Sequence, residues 1–252
     1  IVSASSGDNT IAWYENDGAV NPSWTAADIS TTADGARNVF VADIDGDGDL
    51  DIVSASHDDD TIAWYENDGN SDPSFTKNVI STSADGARGV HIADIDSDGD
   101  LDIVSASRID NKIAWYENDG AANPSWSTTT IATSAAGARD IHIADMDNDG
   151  DLDIVSASSG DDTIAWYEND GAANPSWTAT DIATTADGAR DVYVSDLDND
   201  GDLDIVSAST FDDTIAWYEN DGAANPTWTA TDISISADGA SSVFIADMDS
   251  DG

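Results

Sequence analysis

Asp43, Asp45, Asp47, Asp49 and Asp51 occupy alternate positions of "DIDGDGDLD", with Gly48 in sixth place. Carboxylates this close repel one another unless a cation sits among them. Side chains at positions 1, 3 and 5, a backbone carbonyl at position 7 and a closing carboxylate at position 9 form a set of hard oxygen ligands. Such a set suits Ca²⁺, which accepts about six to eight oxygens in flexible geometry, better than Mg²⁺, which holds to an octahedron and keeps its waters. The string returns as Asp94, Asp96, Asp98, Asp100 and Asp102, then as Asp145, Asp147, Asp149, Asp151 and Asp153, and again as Asp196, Asp198, Asp200, Asp202 and Asp204. It begins a fifth time at Asp247, Asp249 and Asp251 and stops at Gly252. All of these aspartates are candidate metal ligands, and four to five Ca²⁺ ions are expected, the fifth held more weakly. A solvated acidic turn would show the same alternation, but it gives no reason for the glycine and the closing aspartate to recur in register.

An EF-hand closes with a glutamate at its twelfth position, where this chain has Ser54, and flanks its loop with helices. Here the flanks are "NVFVAD" and "DIVSAS", short, apolar and rich in β-branched residues, so the loop joins two strands. Zinc is disfavoured because there is no cysteine and the three histidines share no ligand spacing.

The elements that must carry these loops repeat with them. "IVSAS" starts at residues 1, 52, 103, 154 and 205, and "IAWYENDG" at 11, 62, 113, 164 and 215, a constant period of 51. This divides residues 1–252, read as a single domain, into repeats 1–51, 52–102, 103–153, 154–204 and 205–252. Each unit offers four strands, for example 38–43, 51–56, 61–67 and 74–80, separated by the acidic loop, "HDDD", "NDGNSDP" and "SADGAR". A period near fifty with several short strands per unit predicts a β-propeller blade or a solenoid rung.

Four strands per unit with a DxDxDGxxD-type loop between the first and second resembles the FG-GAP or VCBS-type repeat of integrin α-subunit propellers and many bacterial surface proteins. The resemblance covers essentially the whole chain. It implies an all-β propeller of five four-stranded blades with Ca²⁺ along one rim. The frame of the repeats suggests a ring closed by pairing the initial "IVSAS" with "SVFIAD" (242–247), and the alternative is an arc of a larger propeller or array. Known relatives often have seven blades. The broken fifth loop and the start at Ile1 suggest a segment of a longer, multidomain chain.

Fifty-two acidic residues against seven basic ones leave a net charge of −45, which excludes nucleic acid and anionic membrane surfaces as electrostatic partners. So acidic a chain suits a salty extracellular medium, where screening is strong. No apolar run is long enough to span a membrane, so no direct membrane insertion is expected.

Comparison among the repeats separates framework from variation. Trp13, Trp64, Trp115, Trp166 and Trp217 recur on the third strand and suit packing between blades better than sugar stacking. Position 40 reads Phe40, His91, His142, Tyr193 and Phe244, a half-buried aromatic position. Variation concentrates after "IVSAS", in tips that include His57, Arg108 and Phe211. The "ADGAR" turns carry Arg37, Arg88, Arg139 and Arg190, and belong on the same rim in the propeller reading. These seven residues are the candidate ligand-binding face, although the arginines would equally serve by pairing with loop aspartates.

The functional expectation is a Ca²⁺-stabilised extracellular or cell-surface binding or adhesion module with a carbohydrate or protein ligand. Near-identical units give a multivalent surface rather than one unique site. A spacer in a larger surface protein is the alternative. A propeller-fold polysaccharide-degrading enzyme is disfavoured, because nearly every carboxylate is repeated and assigned to metal, and no catalytic residues are nominated.

Overall fold

The computed structural model describes residues 1–248. It is all β among these residues, and no helix is long and apolar enough to cross a membrane. The first sheet contains β1 (Val2–Ser5), β2 (Thr10–Asn16) and β3 (Trp24–Ser30). The second contains β4 (Ala36–Ala42), β5 (Asp51–Ser56), β6 (Thr61–Asn67) and β7 (Phe75–Ser81). The third contains β8 (Ala87–Ala93), β9 (Asp102–Ser107), β10 (Lys112–Asn118) and β11 (Trp126–Ala132). The fourth contains β12 (Ala138–Ala144), β13 (Asp153–Ser158), β14 (Thr163–Asn169) and β15 (Trp177–Ala183). The fifth contains β16 (Ala189–Ser195), β17 (Asp204–Ser209), β18 (Thr214–Asn220) and β19 (Trp228–Ser234).

Each sheet is an antiparallel meander of the propeller-blade type, its strands hydrogen-bonded in chain order. The strands expected at 38–43, 51–56, 61–67 and 74–80 fall within two residues of β4 to β7. Four sheets have the four strands expected and the first has three. The pairing expected between "IVSAS" and 242–247 is not among the strand pairs of the described residues, and 242–247 carries no strand assignment.

Contacts cluster into two compact units, one of Ile1–Asp94 with Gly99–Ser134, the other of Ile95–Asp98 with the residues from Ala135 on. Within each unit the burial pattern explains the composition of the strands. Every residue of β5, β9, β13 and β17 is buried, which requires packing on both faces of the sheet and selects the small, apolar "DIVSAS". The fourth strands instead expose polar runs such as Thr128, Thr129 and Thr130 in β11, as suits an edge.

Within each unit, neighbouring sheets meet through the tryptophan face of one and the tyrosine face of the next. In the first unit Trp64 of β6 shares a core with Ile103, Ala114 and Tyr116. In the second unit Trp166 of β14 meets Ile205, Ala216 and Tyr218 in the same way. The third-strand tryptophans therefore serve packing between sheets. The position-40 rings pack in tilted and edge-on contacts, Phe40 against His91 at 4.6 Å, and Tyr193 between His142 at 5.0 Å and Phe244 at 4.9 Å. Burial holds the half-buried His142 imidazole below its ordinary pKa, consistent with a neutral packing ring.

Candidate functional site

The acidic loops connect the first two strands of the sheets, and their closing aspartates begin the second strands. Asp51 opens β5, pairs with Ala42 across the ladder and is 1% exposed. Its two carboxylate oxygens accept from the backbone N–H groups of Ile44 (3.1 Å) and Asn67 (2.8 Å), tying the loop to the end of β6. Asp153 accepts from Met146 and Asn169, and Asp204 from Leu197 and Asn220, with the same geometry.

The first aspartate of each loop holds the turn. Gly48 N–H donates to Asp43 Oδ2 at 3.0 Å, Gly99 to Asp94 at 3.0 Å, Gly150 to Asp145 at 3.0 Å and Gly201 to Asp196 at 3.1 Å. These four glycines sit at φ of 98°, 101°, 100° and 101°, which a side chain would strain, so the glycine at position 6 is a backbone requirement.

Oxygens of Asp43, Asp45 and Asp51 lie within 4.8 Å of one another, as do those of Asp145, Asp147 and Asp153. In the fourth loop the grouped residues are Asp196, Asp198 and Asp200. The loop at 94–102 is crossed by the division between units, Asp94 and Asp102 belonging to the first and Asp96 to the second. Burial pushes Asp51 up to about 6 and Asp153 to about 7, and raises Asp45 and Asp147 as well. Asp43 Oδ1 is buried with no hydrogen-bond partner. An all-carboxylate set, raised affinities for protons and an orphaned buried oxygen fit a hard divalent cation, for which Ca²⁺ is the matching chemistry.

The alternating aspartates are not equivalent. Asp47 Oδ1 accepts from Asp49 N–H at 2.9 Å, and Asp149 and Asp200 repeat the bond to Asp151 and Asp202. The carboxylates of Asp49, Asp100, Asp151 and Asp202 lie against the α-carbons of Gly69, Gly120, Gly171 and Gly222, apart from the grouped oxygens. Asp98 keeps position 5 of its loop, and Asp247 opens the fifth. Asp249 and Asp251 lie outside the described residues.

Sequence reasoning missed the residue at the second position of each loop. Ile44 and Met146 are buried between sheets, and their carbonyls accept from the side-chain amides of Asn118 (3.2 Å) and Asn220 (2.9 Å). The available signal was an apolar residue, Ile44, Ile95, Met146, Leu197 or Met248, recurring among aspartates.

At the other end of each sheet the variable tips meet the "ADGAR" turns through main-chain bonds. His57 and Asp58 N–H donate to Gly35 and Asp34, Arg108 and Ile109 to Gly86 and Asp85, Ser159 and Gly160 to Gly137 and Ala136, and Thr210 and Phe211 to Gly188 and Asp187. The sequence-predicted ligand-face residues are thus brought together within each sheet. Arg37 donates to Ser6 Oγ at 3.4 Å and Arg139 Nε to Ser159 Oγ at 2.6 Å, contacts with tip hydroxyls. His57 Nδ1 pairs with Asp58 at 2.7 Å, Arg108 is exposed, and Phe211 is 69% exposed. Arg88 and Arg190 are half-buried at the start of β8 and β16.

The model of the FG-GAP-like repeat matches five stretches, residues 1–54, 43–105, 94–156, 145–207 and 196–252. No curated protein sequence gives a significant match. Among solved structures, an Agrocybe aegerita lectin, described as recognising non-reducing terminal N-acetylglucosamine, is 20% identical with a TM-score of 0.59 over 90% of this chain and 61% of its own. The biofilm matrix protein of V. cholerae is 19% identical with a TM-score of 0.52, over 93% of this chain and 37% of its own. A periplasmic gluconolactonase of Pseudomonas aeruginosa is 12% identical with a TM-score of 0.55, over 95% and 70%. These likenesses are of fold, and the chain spans less than two thirds of the first two structures it matches.

Proposed function

The chain belongs to the FG-GAP-like repeat family, and on that premise we propose that it is a Ca²⁺-stabilised extracellular binding module whose repeated turn-and-tip surface takes a glycan or protein ligand. The observation that carries this reading is the main-chain attachment of four variable tips to the turns beside them. Thr210 and Phe211 are held to Gly188 and Asp187 by backbone bonds of 3.2 and 3.0 Å, as His57 and Asp58 are held to Gly35 and Asp34. Side chains there can change from serine and glycine to threonine and phenylalanine without disturbing the scaffold, as binding loops on a rigid frame require.

Asp43, Asp45 and Asp51, with Asp47 and their counterparts, would hold the cation. Its charge would offset the crowding of carboxylates at the other end of each sheet. Arginines and hydroxyls alternating with exposed apolar tips suit a saccharide bearing hydroxyl and acidic groups. The lectin and biofilm-matrix likenesses support a binding role of this kind. The repeated carboxylates favour a binder over an enzyme, since catalysis needs one unique constellation.

The test is a panel of immobilised glycans, including chains ending in N-acetylglucosamine and acidic polysaccharides, with Ca²⁺ present. Binding that Arg37→Ala combined with Phe211→Ala weakens at least tenfold, at unchanged thermal stability, supports the reading. Binding to no member of the panel, or binding indifferent to both substitutions, counts against it.

A further inference from the structure

We propose that the crevice between the fourth and fifth sheets binds the ammonium group of a lysine side chain presented by another protein, independently of any ligand on the turn-and-tip surface. The crevice has a volume of about 230 Å³ and lies where the turn after β15 meets β17, β18 and β19. Asp212 and Asp232 stand in its wall with Ser209, Thr214 and Tyr218. The Asp212 carboxylate accepts from the backbone N–H groups of Asp187 and Thr214, each at 3.2 Å, which fix it in place. Asp232 is exposed and has no hydrogen-bond partner among the described residues. Ser209 is 1% exposed, and its hydroxyl has no partner among them either, as the buried hydroxyl of its counterpart Ser158 has none.

In the third sheet the chain supplies such an ammonium itself. Lys112 occupies the position of Thr214, and its Nζ pairs with Asp110, the counterpart of Asp212, at 2.7 Å. The chain's only other lysine, Lys77 of the second sheet, occupies the position of Ala230, which also lines the crevice. Where a lysine is present the outer aspartate is missing. Asp232 corresponds to Thr130 in the third sheet and to Val79 in the second. Asp28 and Asp181 keep the aspartate in the first and fourth sheets, where Thr10 and Ala26, and Thr163 and Ala179, stand in place of a lysine. Each repeat thus carries either one aspartate with its own lysine or two aspartates with none. The crevice of the fifth sheet has the acceptors without the cation.

The remaining walls suit the same ligand. A lysine ammonium carries three donors and no acceptor, and the carboxylates of Asp212 and Asp232 with the Ser209 hydroxyl offer it three acceptors. Ala183, Ala186, Ala216 and Ala230 leave room for the four-carbon stem and give it apolar surface to cover. A net charge of −45 draws a basic partner toward the chain before any specific contact forms.

Alanine-methyl NMR of the Ca²⁺-saturated chain, titrated with Nα-acetyl-lysine methylamide, tests this. The methyl signals of Ala183, Ala216 and Ala230 should move together and saturate, and the Nε-acetylated analogue, which lacks the charge, should leave them in place. Asp232→Asn, at an exposed position, should weaken binding roughly tenfold or more at an unchanged melting temperature. Thr214→Lys combined with Asp232→Thr copies the third-sheet arrangement and should take up no added lysine. Signals that ignore lysine, that move equally with the acetylated analogue, or that saturate as before in either variant overturn the proposal. So does a response to glucosamine alone, which would make the crevice an amino-sugar site.

Discussion

Asn220 of β18 donates through one side-chain nitrogen to the carbonyls of Leu203, at 3.1 Å, and of Met146, at 2.9 Å, one in its own sheet and one in the acidic loop of the preceding sheet. Its backbone N–H is given to Asp204 Oδ1 at 2.9 Å, so one buried residue joins two of the acidic loops. Removing the amide leaves one buried and one part-buried carbonyl short of a donor. Asn220→Ala should therefore cost about 1–3 kcal/mol of unfolding free energy. Urea unfolding of the fully Ca²⁺-loaded protein measures it, and a loss below about 0.5 kcal/mol would mean that water replaces the amide.

Gly222 illustrates a second constraint. It sits at φ +66°, and a Cβ added there would overlap Asp202 Oδ2. Gly222→Ala should lower the unfolding free energy through both the left-handed backbone strain and the displaced carboxylate, together about 1–3 kcal/mol. The exposed Gly46, at φ +72° but with nothing near its α-carbon, separates the two effects. Gly46→Ala should cost only the backbone share, about 1 kcal/mol, and thermal melts of the two variants compared side by side would show the difference.

The third expectation concerns pH. Burial, and after it the charge of neighbouring Asp191, push Asp140 well above its ordinary 3.8. Val192 N–H donates to its Oδ2 at 3.2 Å, and the half-buried His142 ring feels the charge of Asp191. A carboxyl that binds its proton more tightly folded than unfolded contributes no penalty below about pH 4. It then loses stability as pH rises from there toward its folded pKa. Asp140→Asn should thus be more stable than the parent at pH 7 and equal to it near pH 3. The second sheet already carries Asn38 at this register position. Chemical denaturation at both pH values checks the sign, which reverses if Asp140 is stabilised by its surroundings as an anion.

Much of this architecture was legible because strand and turn signals agree. "IVSAS" and "TIAWYEN" are β-branched and aromatic runs bounded by Asp, Asn and Gly, and they became strands at the expected residues. The inequality of the aspartates was not legible. Alternation presents Asp43 and Asp49 identically, and only the fold reveals that Asp49 is turned toward Gly69 of a distant turn. Ile44 was overlooked for a related reason. An apolar residue flanked by carboxylates reads as a spacer in the loop until the next sheet supplies a pocket for it. The sheet edge at β1 likewise depends on what pairs with it, which strand propensity in 242–247 does not determine.

The central claim is that the aspartate loops hold divalent cations that join strand to strand. The most direct test is calorimetric titration of the chelator-stripped chain with Ca²⁺, paired with thermal unfolding in Ca²⁺ and in chelator. The account predicts at least three binding equivalents and a melting temperature lowered by at least 10 °C on chelation, with Asp43→Asn and Asp51→Asn each removing one equivalent. No heat of binding and superimposable melting curves with and without chelator would contradict it.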